Sequence, residues 1–127
     1  MAETEVELVE GGHARGGLIM GGESHAALAV EDRAGGRAVA LVVDNRALET
    51  NAVAAGPVRL SVEMADGGAC RFFFQGASDA TPRLAGSFQA RAGRWIGARV
   101  GVFAIADGAA PNAAADFGYF RFSAPPR

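Results

Sequence analysis

The sequence predicts an all-β fold, an antiparallel β-sandwich or jelly roll, from three observations. Apolar and polar residues alternate with a period of two in about eight short segments, as they do in half-buried strands. Turns that contain glycine separate these segments, and no segment shows apolar periodicity over the length of a helix. With 127 residues, the chain is expected to form a single domain over 1–127 that ends in a frayed tail at 124–127.

The composition argues against several classes of partner. The formal net charge is −2, and the basic residues, all arginine, form no run or stripe, so no nucleic-acid partner is expected. No apolar run approaches the ~20 residues of a membrane-spanning helix, so no membrane partner is expected. The acidic start, AETEVELVE, lacks the basic and apolar regions of a secretory signal. We therefore expect a cytoplasmic location. The absence of lysine beside abundant alanine and glycine suggests a GC-rich, bacterial genome.

The amino-terminal third contains the first predicted strands. Three glutamates alternate with three inward-facing residues, Thr4, Val6 and Leu8, which predicts a strand with one charged, solvated face. A short apolar strand follows at 17–20. Residues 25–43 then predict a hairpin because its two alternating halves are joined by a short turn with two glycines.

A second hairpin is predicted in the middle of the chain. Residues 57–64 and 70–75 alternate, and the turn Asp66-Gly67-Gly68 between them suits positive φ angles. Cys70, the only cysteine, lies on the inward face of this hairpin and is predicted to be a buried, inert thiol. Residues 44–56 show no regular pattern, so the segment is predicted to be an irregular connection.

The stretch from Arg94 to Phe122 contains two long apolar strands joined by a loop rich in alanine, glycine, proline and asparagine. Together with the second hairpin, these strands are expected to build one core. Its predicted members are Val58, Leu60, Val62, Phe72, Phe74, Val100, Val102, Phe120 and Phe122.

The same stretch carries a family resemblance. It reads W-x-G-A-x-V-G-x-F-A, a loop, and then A-D-F-x-Y-F-R; the segments R-G-G-L-I-M, P-V-R-L-S-V-E and C-R-F-F-F precede it in the chain. This order resembles the carboxy-terminal concanavalin A-like domain that follows the catalytic propeller in family 43 glycoside hydrolases such as β-xylosidases. The family's domain is normally longer at its amino terminus, so the resemblance implies a shortened version that starts at an interior strand.

The resemblance implies an accessory domain and not glycosidase activity, because the family's hydrolytic carboxylates lie in the propeller. Glycoside hydrolysis needs two carboxyl groups that flank the sugar bond. The acidic residues here lie in turns or on an alternating solvated face, where aspartates usually accept local hydrogen bonds. Two histidines without suitably spaced partners do not suggest zinc. We expect no catalytic residue and no enzymatic activity of the chain by itself.

Asp116 is the candidate metal ligand. The family ending is typically A-D-F-D-Y/W-F, and sugar-handling jelly rolls often bind a structural calcium ion through an acidic residue on the last strand. Here Gly118 replaces the second acid, and calcium needs six to eight oxygen ligands. We therefore expect no cofactor, with a calcium ion at Asp116 as the alternative.

Four aromatic residues are candidates for contact with a carbohydrate or a partner: Phe73, Trp95, Phe103 and Tyr119. Two functions follow. The first is a noncatalytic accessory or interaction domain that packs against a glycoside hydrolase catalytic domain. The alternative is an autonomous carbohydrate-binding module, in which exposed aromatic rings would stack on sugar rings.

An association is also expected. A domain that lacks strands of its family would leave an unpaired edge or an uncovered apolar face, and such edges invite pairing. We therefore expect a homodimer or a tightly held partner domain, with Phe73, Phe103 and Tyr119 as the candidate contacts.

Overall fold

The computed structural model describes residues 1–8, 14–22, 24–33, 36–90, 99–106 and 115–123, with the backbone alone for 33, 99 and 106. Ten strands make up most of this part of the chain. They are β1 Ala2–Leu8, β2 Ala14–Gly21, β3 His25–Arg33, β4 Gly36–Val43, β5 Arg46–Val53, β6 Val58–Met64, β7 Ala69–Gln75, β8 Arg83–Gln89, β9 Arg99–Ala106 and β10 Ala115–Phe122. A short 3₁₀ turn, Asp66–Gly68, joins β6 to β7. No helix within these ranges is long and apolar enough to cross a membrane.

The strands form two five-stranded sheets. Sheet A has the order β10-β1-β6-β7-β8, and sheet B has the order β5-β4-β3-β2-β9. Every pair of neighbouring strands is antiparallel. The prediction of an all-β, antiparallel sandwich is therefore confirmed.

Both predicted hairpins are present. β3 pairs with β4 and β6 pairs with β7, each antiparallel. Gly67 and Gly68 have φ angles of 83° and 87°, as the sequence predicted for this turn, and a side chain would be strained in that region.

The segment 44–56 differs from the prediction of an irregular connection. Asp44 and Asn45 have φ angles of 47° and 67° and form a two-residue turn, from which β5 runs back along β4. Positive φ at both central residues is typical of the primed turns that close tight hairpins, and aspartate and asparagine tolerate it best after glycine. The side chains of β5 are mostly exposed because it is an edge strand. The strand therefore needs no apolar alternation, and its sequence shows no strand pattern.

The two strands of the 94–122 stretch do not pair with each other. β9 pairs with β2 in sheet B, and β10 pairs with β1 in sheet A. Among the described strands, they are therefore the edges of opposite sheets. Residues 94–98 and the loop between the two strands lie outside the described residues.

The core lies between the inner faces of the two sheets. Its buried members come from strands of both sheets and include Val6, Leu18, Met20, Leu28, Leu41, Val58, Leu60, Val62, Cys70, Phe72 and Phe74. Thr4 is the buried polar residue among them, and its hydroxyl donates a hydrogen bond to the carbonyl of Tyr119 on β10. A buried hydroxyl needs such a partner because its loss of water would otherwise be costly.

The predicted core is correct for the middle hairpin and wrong at the edges. The five residues of the predicted core that lie in this hairpin are all buried, and Val100 packs against the core while half-buried. Val102, Phe120 and Phe122 are instead 41, 46 and 62 % exposed. Each pairs with a buried residue of the neighbouring strand, so each does face inward. Alternation decides which face a side chain occupies. These three side chains stay exposed because the opposite sheet does not fully cover the edge strands.

Candidate interaction surfaces

The outer face of sheet A is charged. The three glutamates of β1 lie on it, flanked by arginines on the neighbouring strands. Arg59 on β6 faces Glu5 with a 3.6 Å ion pair, and Arg71 on β7 forms a 2.8 Å ion pair with Glu63. Cross-strand pairs of opposite charge are the usual way in which a solvated sheet face is stabilised. This face is therefore internally paired over its middle strands.

Tyr119 lies on this face, on β10. Its hydroxyl donates a 2.7 Å hydrogen bond to Glu3, and the Arg121 guanidinium lies 4.6 Å from the ring centroid. Burial, the hydrogen bond to Glu3 and the charge of that carboxylate raise the pKa of Tyr119 to about 12. The ring is half-buried and held by its neighbours.

Phe73 lies on the same face but is not close to Tyr119. It belongs to β7, so β1 and β6 separate the two rings, a span of roughly 14 Å at the usual spacing of strands. The Arg71 guanidinium lies 5.7 Å from the Phe73 ring centroid. Each ring thus has an arginine near it, and charged side chains lie between them, so the two do not form a continuous aromatic surface for a sugar.

Asp116 is exposed on the outer face of β10, where it faces Glu7 of β1. Within the described part of the chain, no group of three or more His, Cys, Asp or Glu side chains could hold a metal ion. Two carboxylates on an open sheet face fall well short of the six to eight oxygens that calcium requires. The described residues therefore do not fit a calcium site at Asp116.

The outer face of sheet B is apolar and built from small residues in its centre, with Arg15 and Glu31 opposite each other towards one end. Ala29 and Ala40 face each other across β3 and β4 and are buried although they alternate with core residues. Towards β9 the side chains become larger: Ile19 on β2 and Phe103 on β9 are half-buried, and Ile105 is 47 % exposed. We call these three residues the β9 patch.

Phe103 is thus the predicted contact residue that does lie on an apolar surface. It is on the opposite sheet from Phe73 and Tyr119, so the structure does not bring the predicted aromatic residues together. Trp95 lies outside the described residues. The signal that would have separated Phe103 from the other two is its apolar neighbours on β9, against the charged neighbours of Phe73 and Tyr119.

A polar cleft of about 280 Å³ lies at one end of the outer face of sheet A. The lining residues are Glu5, Pro57, Arg59, Gln75, Gly76, Ala77 and Asp79. Asp79 accepts a 2.8 Å hydrogen bond from the backbone N–H of Gly76 and forms a 3.3 Å ion pair with Arg83. Gln75 in turn donates its side-chain amide to the Asp79 carbonyl, at 3.0 Å. Asp79 therefore orders the turn, as turn aspartates usually do, and Glu5 is engaged by Arg59.

Other candidate reactive groups have structural surroundings. His25 donates its backbone N–H to the Asp44 carboxylate at 2.9 Å, next to the β4–β5 turn. Cys70 is buried in the core, as predicted, and burial raises the pKa of its thiol. A thiol with a raised pKa is a poor nucleophile at neutral pH. Neither residue is arranged for nucleophilic catalysis.

Exposed apolar side chains concentrate on β9 and β10. Besides Ile105 and Val102 of β9, Phe120 and Phe122 of β10 belong to this set, whereas Leu48 and Leu84 are isolated examples on β5 and β8. The alternation of β10 predicts Phe120 and Phe122 in the core, so this concentration cannot be read from the sequence pattern. Their position in the last strand of a sheet is the reason for their exposure.

Comparisons with known proteins agree with this architecture. Residues 1–123 match the family model of the β-xylosidase C-terminal concanavalin A-like domain. A solved GH43 glycoside hydrolase, described as an enzyme engineered to show both endo-xylanase and exo-arabinofuranosidase activity, superposes with a TM-score of 0.72 at 13 % identity. The superposition covers 94 % of this chain and 28 % of that enzyme, so it shows the fold alone. No curated protein sequence matches this chain significantly.

The family model covers nearly the whole chain, and the two five-stranded antiparallel sheets are the architecture that its description names. The chain belongs to the family of concanavalin A-like domains found at the carboxy terminus of β-xylosidases, the noncatalytic part of GH43 enzymes.

Proposed function

We propose that this chain is a noncatalytic accessory domain that binds a GH43 catalytic domain, either on the same polypeptide or as a separate chain. The observation that carries the proposal is the family match over residues 1–123. The match to the solved GH43 enzyme supports it, because this fold accounts for 28 % of that chain and the remainder belongs to other parts of the enzyme.

The β9 patch is the surface that we assign to this contact. Ile19, Phe103 and Ile105 form an apolar strip on an edge strand and its neighbour, whereas the outer face of sheet A is occupied by its own ion pairs. The centres of protein interfaces are depleted in charge and enriched in aromatic and apolar side chains. Covering the middle of sheet A would bury these ion pairs, whereas the three side chains of the β9 patch are uncharged, and Arg15, which faces Ile105 from β2, would lie at the margin of the contact.

The experiment combines the purified chain with a GH43 catalytic domain from the same source and measures their affinity by calorimetry. Ile105→Arg should weaken the complex by about tenfold or more, since it places a charge in an apolar contact. Leu84→Arg is the matched control, because Leu84 is 57 % exposed on β8, at the other margin of the sandwich. If the wild-type chain and the catalytic domain do not bind at micromolar concentrations, the proposal is wrong.

The chain alone should not hydrolyse an aryl β-xyloside or an aryl arabinofuranoside. The acidic residues that line the polar cleft are engaged by Arg59, Arg83 and a backbone amide, and none of them is arranged as an acid and a nucleophile around a sugar bond. Turnover that disappears when a single aspartate or glutamate is replaced would contradict this expectation.

Carbohydrate binding by the chain itself remains the alternative function, and no observation favours it. The Phe73 and Tyr119 rings each lie beside an arginine, so a sugar would have to displace a cation to stack on that side. Titration with xylo-oligosaccharides tests the alternative. Millimolar or tighter binding that Phe103→Ala abolishes would support it.

Three further expectations stay predictions. A single domain over 1–127 with a frayed tail at 124–127 predicts that limited proteolysis removes the tail first. A cytoplasmic location predicts that fractionated cells contain the chain in the cytosolic fraction. A second copy of the chain is also a proposed partner.

A further inference from the structure

The strand β10 is the last strand of sheet A within the described part of the chain. It pairs with β1 on one side, and no described strand pairs with its other side. Strand residues 116, 118 and 120–122 are exposed. An edge of this kind presents a row of unpaired N–H and C=O groups, which another strand can use.

A bulge divides β10 into two halves. Odd-numbered residues face inward before the bulge, and even-numbered residues face inward after it. The register with β1 shifts between Glu5, which faces Tyr119, and Val6, which faces Phe117, so Gly118 is the extra residue. Inward positions are therefore 115, 117, 120 and 122, and outward positions are 116, 119 and 121. Read from either end, the strand has the order inward, outward, inward before the two central residues.

We propose that a second copy of this chain pairs with the free edge of β10 in an antiparallel, two-fold symmetric arrangement, so that Asp116 of each copy faces Arg121 of the other. The two-fold axis lies between Gly118 and Tyr119. This register pairs the whole of β10 with itself: inward residues lie opposite inward ones, Asp116 lies opposite Arg121, and Tyr119 lies opposite the bulge residue Gly118. It joins the two copies of sheet A into one continuous sheet.

The charges on β10 support this register. Within its own sheet, Asp116 faces Glu7, and like charges directly opposite each other are destabilising. No ion pair formed within the described residues reaches Asp116. Arg121 of the second copy would supply a cation on the same outer face. The arrangement is self-complementary because each copy contributes one carboxylate and one guanidinium.

The apolar residues of β10 support the same register. On the inner face, Phe117 would face Phe120 of the second copy, and Ala115 would face Phe122. Phe120 and Phe122 are 46 and 62 % exposed in the single chain, and pairing would remove part of that surface from water. Aromatic cross-strand pairs are among the more favourable ones in antiparallel sheets. Bulges often protect an edge from pairing; a bulge at the two-fold axis instead keeps both halves in phase.

The proposal concerns β10 and goes beyond the proposed function, which concerns the outer surface of β9. The two can fail separately. A chain that binds its catalytic domain but does not dimerise would overturn only the β10 proposal, and a chain that dimerises without binding a catalytic domain would overturn only the proposed function.

The test is a charge-exchange series, with mass in solution measured by light scattering and sedimentation at micromolar concentrations. The wild-type chain should be a dimer. Asp116→Arg and Arg121→Asp each place like charges opposite each other at both contacts, so each should weaken the dimer by about tenfold or more. The double variant D116R/R121D should restore the dimer. An equimolar mixture of the two single variants should form a heterodimer, since residues 116 and 121 that face each other between the two copies then carry opposite charges.

Folding is monitored by circular dichroism and thermal unfolding of dilute protein. Asp116→Arg removes the like-charge contact with Glu7, so the monomer should be at least as stable as the wild type; a lost dimer then reflects the interface. Ser87→Arg, on exposed β8 of the same sheet, adds a positive charge at the opposite edge and should leave the dimer unchanged. A monomeric wild type, a dimer that resists both single variants, or a mixture that stays monomeric would each overturn the proposal.

Discussion

Gly17 and Gly101 provide a stringent test of the packing on sheet B. Both lie on its outer face, in the neighbouring strands β2 and β9, and neither has a positive φ angle. A Cβ added at Gly17 would lie 1.9 Å from the carbonyl oxygen of Leu28, on the paired strand β3. A Cβ added at Gly101 would have no other atom within 4 Å. The same substitution, glycine to alanine, should therefore have opposite effects at two adjacent strands.

The magnitudes follow from these distances. Real Cβ atoms essentially never approach another atom closer than 3.0 Å, so Gly17→Ala forces the β3 backbone to move by about 1 Å. Overpacking usually costs about 1–3 kcal/mol, and here a ladder carbonyl must move, so we expect a loss of about 3 kcal/mol or more in the free energy of unfolding. Gly101→Ala should raise that free energy by about 0.5–1 kcal/mol, because glycine is unfavourable inside a strand.

Urea denaturation followed by circular dichroism measures both effects. For a chain of this size, a loss of 3 kcal/mol corresponds to a decrease of about 1–3 M in the midpoint, and complete failure of Gly17→Ala to fold agrees with the same expectation. Gly101→Ala controls for the change in backbone entropy. The reasoning is refuted if Gly17→Ala unfolds within about 1 kcal/mol of the wild type, or if the two variants are destabilised equally.

Three other predictions concern single side chains. Phe72→Ala should cost about 3–5 kcal/mol in urea unfolding, whereas Phe73→Ala, one residue along and half-buried on the outer face, should cost less than half as much; equal losses would show that the faces are misassigned. The Tyr119 phenol should titrate near pH 12 in ultraviolet absorbance, and Glu3→Gln should lower that pKa. Because the folded pKa lies above the unfolded value, the stabilisation by Tyr119 is present below about pH 10 and lost between about pH 10 and 12; titration at pH 10 in the folded chain would contradict this. Cys70 should react with a thiol reagent only after unfolding, and rapid modification of the native chain would contradict its burial.

The middle hairpin and β1 show where sequence reasoning succeeds. In these strands the inward residues are apolar and the outward ones are polar, because one side faces a covered core and the other faces water. Alternation then reports burial as well as face, and Val62, Phe72 and Phe74 are buried as predicted. The turn at Gly67 was equally readable, since few residues other than glycine adopt its φ angle.

The candidate contacts show where it fails. Phe73, Phe103 and Tyr119 were grouped because each is an aromatic residue on an outward face. They could form one surface only if their strands were neighbours in the same sheet. That condition depends on long-range pairing, which period-two patterns do not encode. The arginine beside each ring lies two residues away on the same strand, but the Glu3 carboxylate that holds Tyr119 lies on β1, at the other end of the chain.

The sequence by itself determined the class of fold, the two hairpins and the family, because these depend on local alternation, on turn residues and on the order of short motifs. Only the tertiary structure decided that β5 is a strand, that β9 and β10 belong to opposite sheets, and that Phe120 and Phe122 are exposed while facing inward. The physical reason is that a strand pattern specifies which way a side chain points. Whether that side chain is covered depends on how far the opposite sheet extends over it, and no local pattern contains that information.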